Sequence, residues 1–141
     1  MSFSESAWEI FNQSINDYHL KDDVDTPINN SFEKKTLEWL LYAKNWIDTV
    51  QWHLEDIIRD ENIEPLEALK IKRRIDSSNQ QRTDLVEFID SWFLQKYENI
   101  TPEPDAKINS ETPAWAVDRL SILALKVYHM SLEANRSSAT E

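Results

Sequence analysis

The 141 residues contain no glycine. Only glycine enters the left-handed backbone region without a steric penalty, so tight turns with positive φ and glycine helix caps are not expected here. Helix ends must rely on Asn and Pro instead. The same absence removes glycine-rich phosphate loops, Rossmann turns and nucleophile elbows, along with most all-β architectures built on short hairpins. What is left to such a chain is chiefly helix.

Four helical segments stand out by their apolar periodicity. The first runs from about Ser4 to Leu20, with Ala7, Phe11, Ile15 and Tyr18 on one face. A polar, acidic connection follows, Lys21 to Ser31, and Asn30-Ser31-Phe32-Glu33 fits an N-cap with a capping-box glutamate. The second helix is expected over Phe32–Arg59, its core arc being Trp39, Leu40, Ala43, Ile47, Val50, Leu54, Ile57 and Ile58. After the short connector Asp60–Glu64, Pro65 suits the first turn of a third helix reaching about Glu98. A connector this short forces the second and third helices into a long antiparallel hairpin. Pro102–Glu111 reads as a surface loop. Thr112-Pro113 then reads as N-cap and N1 of a fourth helix, Ala114 to about Ala134, with Leu120, Leu123, Ala124, Val127 and Met130 on its core side. Four amphipathic helices with broad apolar faces imply an all-α, four-helix bundle-like single domain over residues 1–141, fraying at 135–141.

Composition narrows the function classes. A chain of this length buries about 68% of its unfolded surface, and with 40% hydrophobic residues and six tryptophans it is not disordered. There is no cysteine, which removes disulfides, thiolate metal sites and cysteine nucleophiles. A net charge of −11 opposes nucleic acid and anionic membrane surfaces at long range. The N-terminus Met1-Ser2-Phe3-Ser4-Glu5 lacks a basic region and an apolar signal core, and no stretch approaches a membrane span. A cytoplasmic protein is expected. The basic cluster Lys70, Lys72, Arg73, Arg74 points in several directions on a helix and reads as local ion pairing.

One polar run interrupts the third helix. Residues 76–84 are all polar, yet Ile71, Ile75, Leu85, Val86, Ile89 and Phe93 keep one helical stripe across the gap. Ser78, Asn79 and Arg82 fall inside that stripe. On the second helix Lys44, Asp48, Gln51 and Glu55 form a polar face of their own. With a turn centred near Asn62, Asp76 faces Asp48 and Arg82 lies near Leu41 and Tyr42. Two outcomes are open. The two polar stripes close on each other as a buried salt-bridge layer, Arg82 being neutralised by Asp48, Asp76 or Glu38. Alternatively they open as a pocket for a small anionic ligand, in which Arg82 clamps the anion, Asn79, Gln51 and Trp52 contact it, and Asp48, Glu55 and Asp76 hold a hard cation such as Mg²⁺ for hydrolysis or transfer on a phosphorylated substrate. The first reading is a small binding or interaction module that demands no cofactor and takes a small anionic ligand or a protein partner, or self-associates; the Mg²⁺-dependent hydrolase or transferase is the alternative.

The three histidines show neither H-x-x-x-H nor E-x-x-H, the spacings that set two ligands on one helical face. His19 reads as a helix C-terminal cation, with general base the alternative. His53 reads as packed and hydrogen-bonded, and His129 as a surface residue. A transition-metal site would require these distant positions to converge. The Glu87-x-x-Asp90 pair resembles the second half of the metal motif of all-α nucleotide pyrophosphohydrolases, but the preceding helix offers Asp48-x-x-Gln51 and Glu55-Asp56 where that motif has E-x-x-E.

Three strings carry a wider resemblance: Asn45–Asp60 (NWIDTVQWHLEDIIRD), Lys72–Asp84 (KRRIDSSNQQRTD) and Pro113–Ser121 (PAWAVDRLS). They resemble an uncharacterised bacterial family of helical domains of unknown function, over most of the chain. The resemblance implies a bacterial origin and a stand-alone domain, and transfers no catalytic residue.

Overall fold

The computed structural model describes residues 1–136, so the end of the polar tail read as frayed lies outside the described residues. Four helices form: α1 Phe3–His19, α2 Leu37–Ile58, α3 Pro65–Lys96 and α4 Pro113–Ala134. No strand occurs among the described residues, and no helix is long and apolar enough to cross a membrane.

The helix starts follow their caps. Ser2 caps α1 in a reciprocal box with Glu5, Pro65 opens α3, and Thr112 caps α4 ahead of Pro113. The start of α2 departs from expectation. Asn30 caps no helix: its side-chain oxygen accepts from the Phe32 N–H at 3.2 Å, and its amide donates to the Trp39 carbonyl at 2.9 Å. Thr36 is the true N-cap, accepting from the Trp39 N–H. The expectation that positive φ would be avoided also fails at two positions, Asp22 (φ 52°) and Lys35 (φ 69°). Each bears the left-handed penalty of roughly 1–2 kcal/mol at a chain reversal.

α2 is the central element and packs against all three other helices. α3 runs antiparallel to it, Leu54 meeting Ile71 and Ile75 near the turn. α4 runs parallel to α2, with Ser121 beside Asp48 and His129 beside His53. α1 and α3 lie on opposite sides and meet through the Phe3 and Phe93 rings. The α1 face Ala7, Phe11, Ile15, Tyr18 is fully buried, and the α3 stripe Ile71, Ile75, Leu85, Val86, Ile89 is buried in one unbroken helix with Ser78 inside it.

Part of the expected core face of α4 is turned outward, although Ala124 of that face is buried and Leu120 packs partly buried against the core. Leu123, Val127 and Met130 are exposed, while Val117, Ser121, Ala124 and Leu125 are buried. The inward arc contains Ser121 and borders Asp118, and both polar side chains engage partners on α2. The long loop 20–36 leaves α1, passes Arg74 of α3 and returns to the start of α2.

Candidate functional site

The polar layer is closed by its own charges. Lys44 is fully buried on α2, and its ammonium donates to Asp48 Oδ2 at 2.5 Å and to Asp118 Oδ1 at 2.7 Å. Arg82 on α3 donates from Nε to Asp48 Oδ1 at 2.6 Å and from Nη2 to Asp118 Oδ1 at 3.1 Å. Ser121 donates to Asp48 Oδ2 at 2.7 Å, and Asn45 donates to Ser121. Two cations and two carboxylates balance, which is what burial of charge requires. Burial alone would lower the Arg82 pKa, but Asp48 and Asp118 hold it above its ordinary value. The α4 partners Asp118 and Ser121 are the members that reasoning from two helices missed.

The remaining sequence candidates separate. Gln51 donates to Asn79 at 2.8 Å and accepts from Ser78 at 3.2 Å, a rung beside the charged layer. Asp76 is exposed and paired with Lys72 within α3. Glu55 is half-buried, with no ion pair among the described residues. Trp52 stacks on His129, ring centroids 4.6 Å apart and the ring planes nearly parallel. Between α2, α3 and the loop lies an open cavity of about 590 Å³, faced by Val24 and Ile28 from the loop, Trp39, Val50 and Leu54 from α2, and Leu85 and Phe88 from α3. The core arc expected for α2 thus fronts this cavity, and the α3 polar run divides: Ser77, Ser78, Gln81 and Asp84 border the cavity, whereas Arg82 enters the layer.

The second polar centre is made by the histidines. His19 at the end of α1, His53 in α2 and His129 in α4 bring one ring nitrogen each to within 4.8 Å of one another. His19 Nδ1 lies 2.6 Å from the Ile15 carbonyl. A carbonyl only accepts, so Nδ1 is the donor and Nε2 is the nitrogen left to face the cluster. That Nε2 faces His53 Nε2 at 3.0 Å. His129 is not a surface residue: it is half-buried under Trp52, and its Nε2 is buried with no hydrogen-bond partner among the described residues.

Aromatic rings hold the three imidazoles in place. Tyr18 stacks on His53, and Tyr128 stacks on His19 at 4.4 Å. Burial, then the neighbouring imidazoles, lowers the pKa of both His53 and His129. Both are therefore neutral at neutral pH, the form that donates a lone pair. Burial, then Asp22, pushes the Tyr18 phenol up to about 12. Among the described residues, the carboxylate that comes within 4.0 Å of these ring nitrogens is Asp22, whose Oδ1 lies 4.0 Å from His19 Nε2 and 3.9 Å from His53 Nε2.

These features define a four-helix protein with a self-neutralised charge layer and a convergent imidazole cluster. Residues 38–141 match the family described as a protein of unknown function (DUF4254), and the chain belongs to that family. The match begins in the first turn of α2 and takes in His53 and His129; His19 and Asp22 precede it. No curated protein and no solved structure matches the chain.

Proposed function

We propose that this protein is a metal-binding module, centred on His19, His53 and His129, that takes a divalent first-row transition ion of the zinc class. The observation that carries this is the convergence of one ring nitrogen from each of the three histidines to within 4.8 Å, beside the buried, unpartnered Nε2 of His129. A buried polar atom left unpaired costs roughly 1–3 kcal/mol, and an ion bound at His129 Nε2 removes that cost. Two nitrogens bound to one tetrahedral zinc stand roughly 3.3 Å apart, given Zn–N bonds of about 2.0–2.1 Å. The 3.0 Å separation of His19 and His53 is close to this, and a shift on the order of 1–2 Å brings in the third ring. The Ile15 carbonyl on His19 Nδ1 is the outer-shell contact that ligating imidazoles commonly carry.

The donor set selects the metal. Imidazole suits zinc, copper, nickel and iron, whereas Mg²⁺ and Ca²⁺ prefer oxygen. Because the three ligands come from three helices, binding energy here is folding energy. Titration calorimetry should find one equivalent of Zn²⁺ per chain and no uptake of Mg²⁺ at these residues. At a free Zn²⁺ concentration a hundredfold above Kd, the gain of about 2.7 kcal/mol should raise Tm by about 10 °C. His129→Ala should abolish both the uptake and the rise. A wild-type protein whose Tm and calorimetric trace ignore Zn²⁺ would falsify the reading.

A further inference from the structure

We infer that Asp22 is the fourth ligand of this centre and that its ligation ties one wall of the α2–α3 cavity to the metal; the inference rests on the metal-binding reading above. Three imidazoles leave one position of a tetrahedral zinc unfilled. The Asp22 carboxylate lies on the solvent side of the cluster, about equally far from two of the three nitrogens. Its side chain is 61% exposed, so it can swing inward without displacing packed groups. No hydrogen bond holds its side chain elsewhere among the described residues, and the basic side chains within 4.0 Å of it there are the imidazoles of His19 and His53.

The backbone has been spent on aiming this residue. Asp22 sits in the left-handed region at φ 52°, with its N–H donating to the Tyr18 carbonyl at 3.0 Å. This reversal at the end of α1 folds position 22 back beside His19. A carboxylate there also offsets half of the ion's charge: three neutral imidazoles and one anion leave a divalent ion with a single net positive charge.

The consequence reaches beyond the ion. Two residues on, the loop is clamped from the other side: Arg74 of α3 donates to Asp25 Oδ1 at 2.7 Å and to the Val24 carbonyl at 3.1 Å. Val24, Thr26 and Ile28 of the same segment face the cavity. The segment therefore has one fixed anchor at Arg74 and one at Asp22 that only the metal makes firm. Metal binding shortens the free length of that wall and fixes the mouth of the cavity.

The test uses the full chain with Zn²⁺ and Co²⁺. Asp22→Asn is close in shape, and Asn tolerates the left-handed region, so the variant keeps the fold. Asp56→Asn removes another acid near His53 that makes no contact with the ring nitrogens, and controls for general loss of negative charge. Asp22→Asn should weaken Zn²⁺ roughly 10–100-fold and shift the visible bands of the Co²⁺-loaded protein, while Asp56→Asn leaves both near wild type. Hydrogen exchange at residues 22–28 should slow on Zn²⁺ addition in the wild type and not in Asp22→Asn. Equal affinity and equal spectra in wild type and Asp22→Asn, or equal weakening by Asp56→Asn, would overturn Asp22 as a ligand. Zn²⁺ binding that leaves exchange at 22–28 unchanged would overturn the tie to the cavity wall. Absence of Zn²⁺ binding in the wild type would instead remove the underlying metal reading.

Discussion

Asp48 is the residue on which the charge layer turns, because it accepts from Lys44, Arg82 and Ser121 together. Asp48→Asn leaves two cations sharing Asp118. Breaking a buried pair by removing one partner costs about 3–5 kcal/mol. The low end applies, since Arg82 keeps some contact with water. Urea unfolding should therefore show a loss of about 3 kcal/mol with an unchanged m-value; a loss below about 1 kcal/mol would mean that Lys44 is not held by this pair. The sequence named Asp48 among the partners that neutralise Arg82, but its hairpin register set Asp76 opposite Asp48. The observed pairs Asp48–Arg82 and Gln51–Asn79 correct that register, because the turn position alone does not fix how the two helices slide past each other. Nor could the sequence place Asp118, because nothing in a hairpin register reports where a later helix docks. The histidines were less legible still. Positions 19, 53 and 129 lie on three helices and share no spacing, so convergence is a property of the packed bundle only.

At the scale of the helix, α4 shows how an amphipathic pattern can be read the wrong way round. Leu123, Val127 and Met130 make the cleaner apolar stripe, yet it faces solvent. The inward arc carries Ser121 and borders Asp118, which hydropathy assigns to the surface. Those polar groups point inward because Lys44 and Asp48 of α2 are buried opposite them and must be neutralised. Leu125 is fully buried and Leu123 about half exposed. Leu125→Ala should cost about 2–5 kcal/mol and Leu123→Lys no more than about 0.5 kcal/mol, both read by chemical denaturation; the reverse order would mean that α4 is rotated from the orientation described. The α2 start was misread for a related reason. Asn30 satisfied the capping pattern in sequence, but the loop uses its side chain to brace Phe32 and Trp39, and Thr36 takes the cap.

For the molecule as a whole, a net charge of −11 on a 141-residue chain sets up self-repulsion in the compact state. The layer and the histidine cluster are shielded from salt by burial, so added salt acts mainly on that surface repulsion. Raising NaCl from about 0.01 M to about 0.5 M, which shortens the screening length from about 30 Å to under 10 Å, should raise Tm in thermal unfolding; a fall would show that exposed ion pairs such as Lys72–Asp76 outweigh the repulsion. The helix count, the antiparallel hairpin and the continuity of α3 were all legible, because periodicity is local and the α2–α3 connector is short. The relative rotation of the helices was not, since it depends on which buried charges find each other.

The charge layer links α2, α3 and α4, whereas the imidazole cluster links α1, α2 and α4. Neither reaches all four helices, and the two outer helices depend on different devices. On the metal-binding reading proposed above, a chelator acts on the cluster that engages α1, whereas a mutation at Asp48 acts on the layer that engages α3. The bundle can thus be loosened from either flank separately, around an α2–α4 spine common to both.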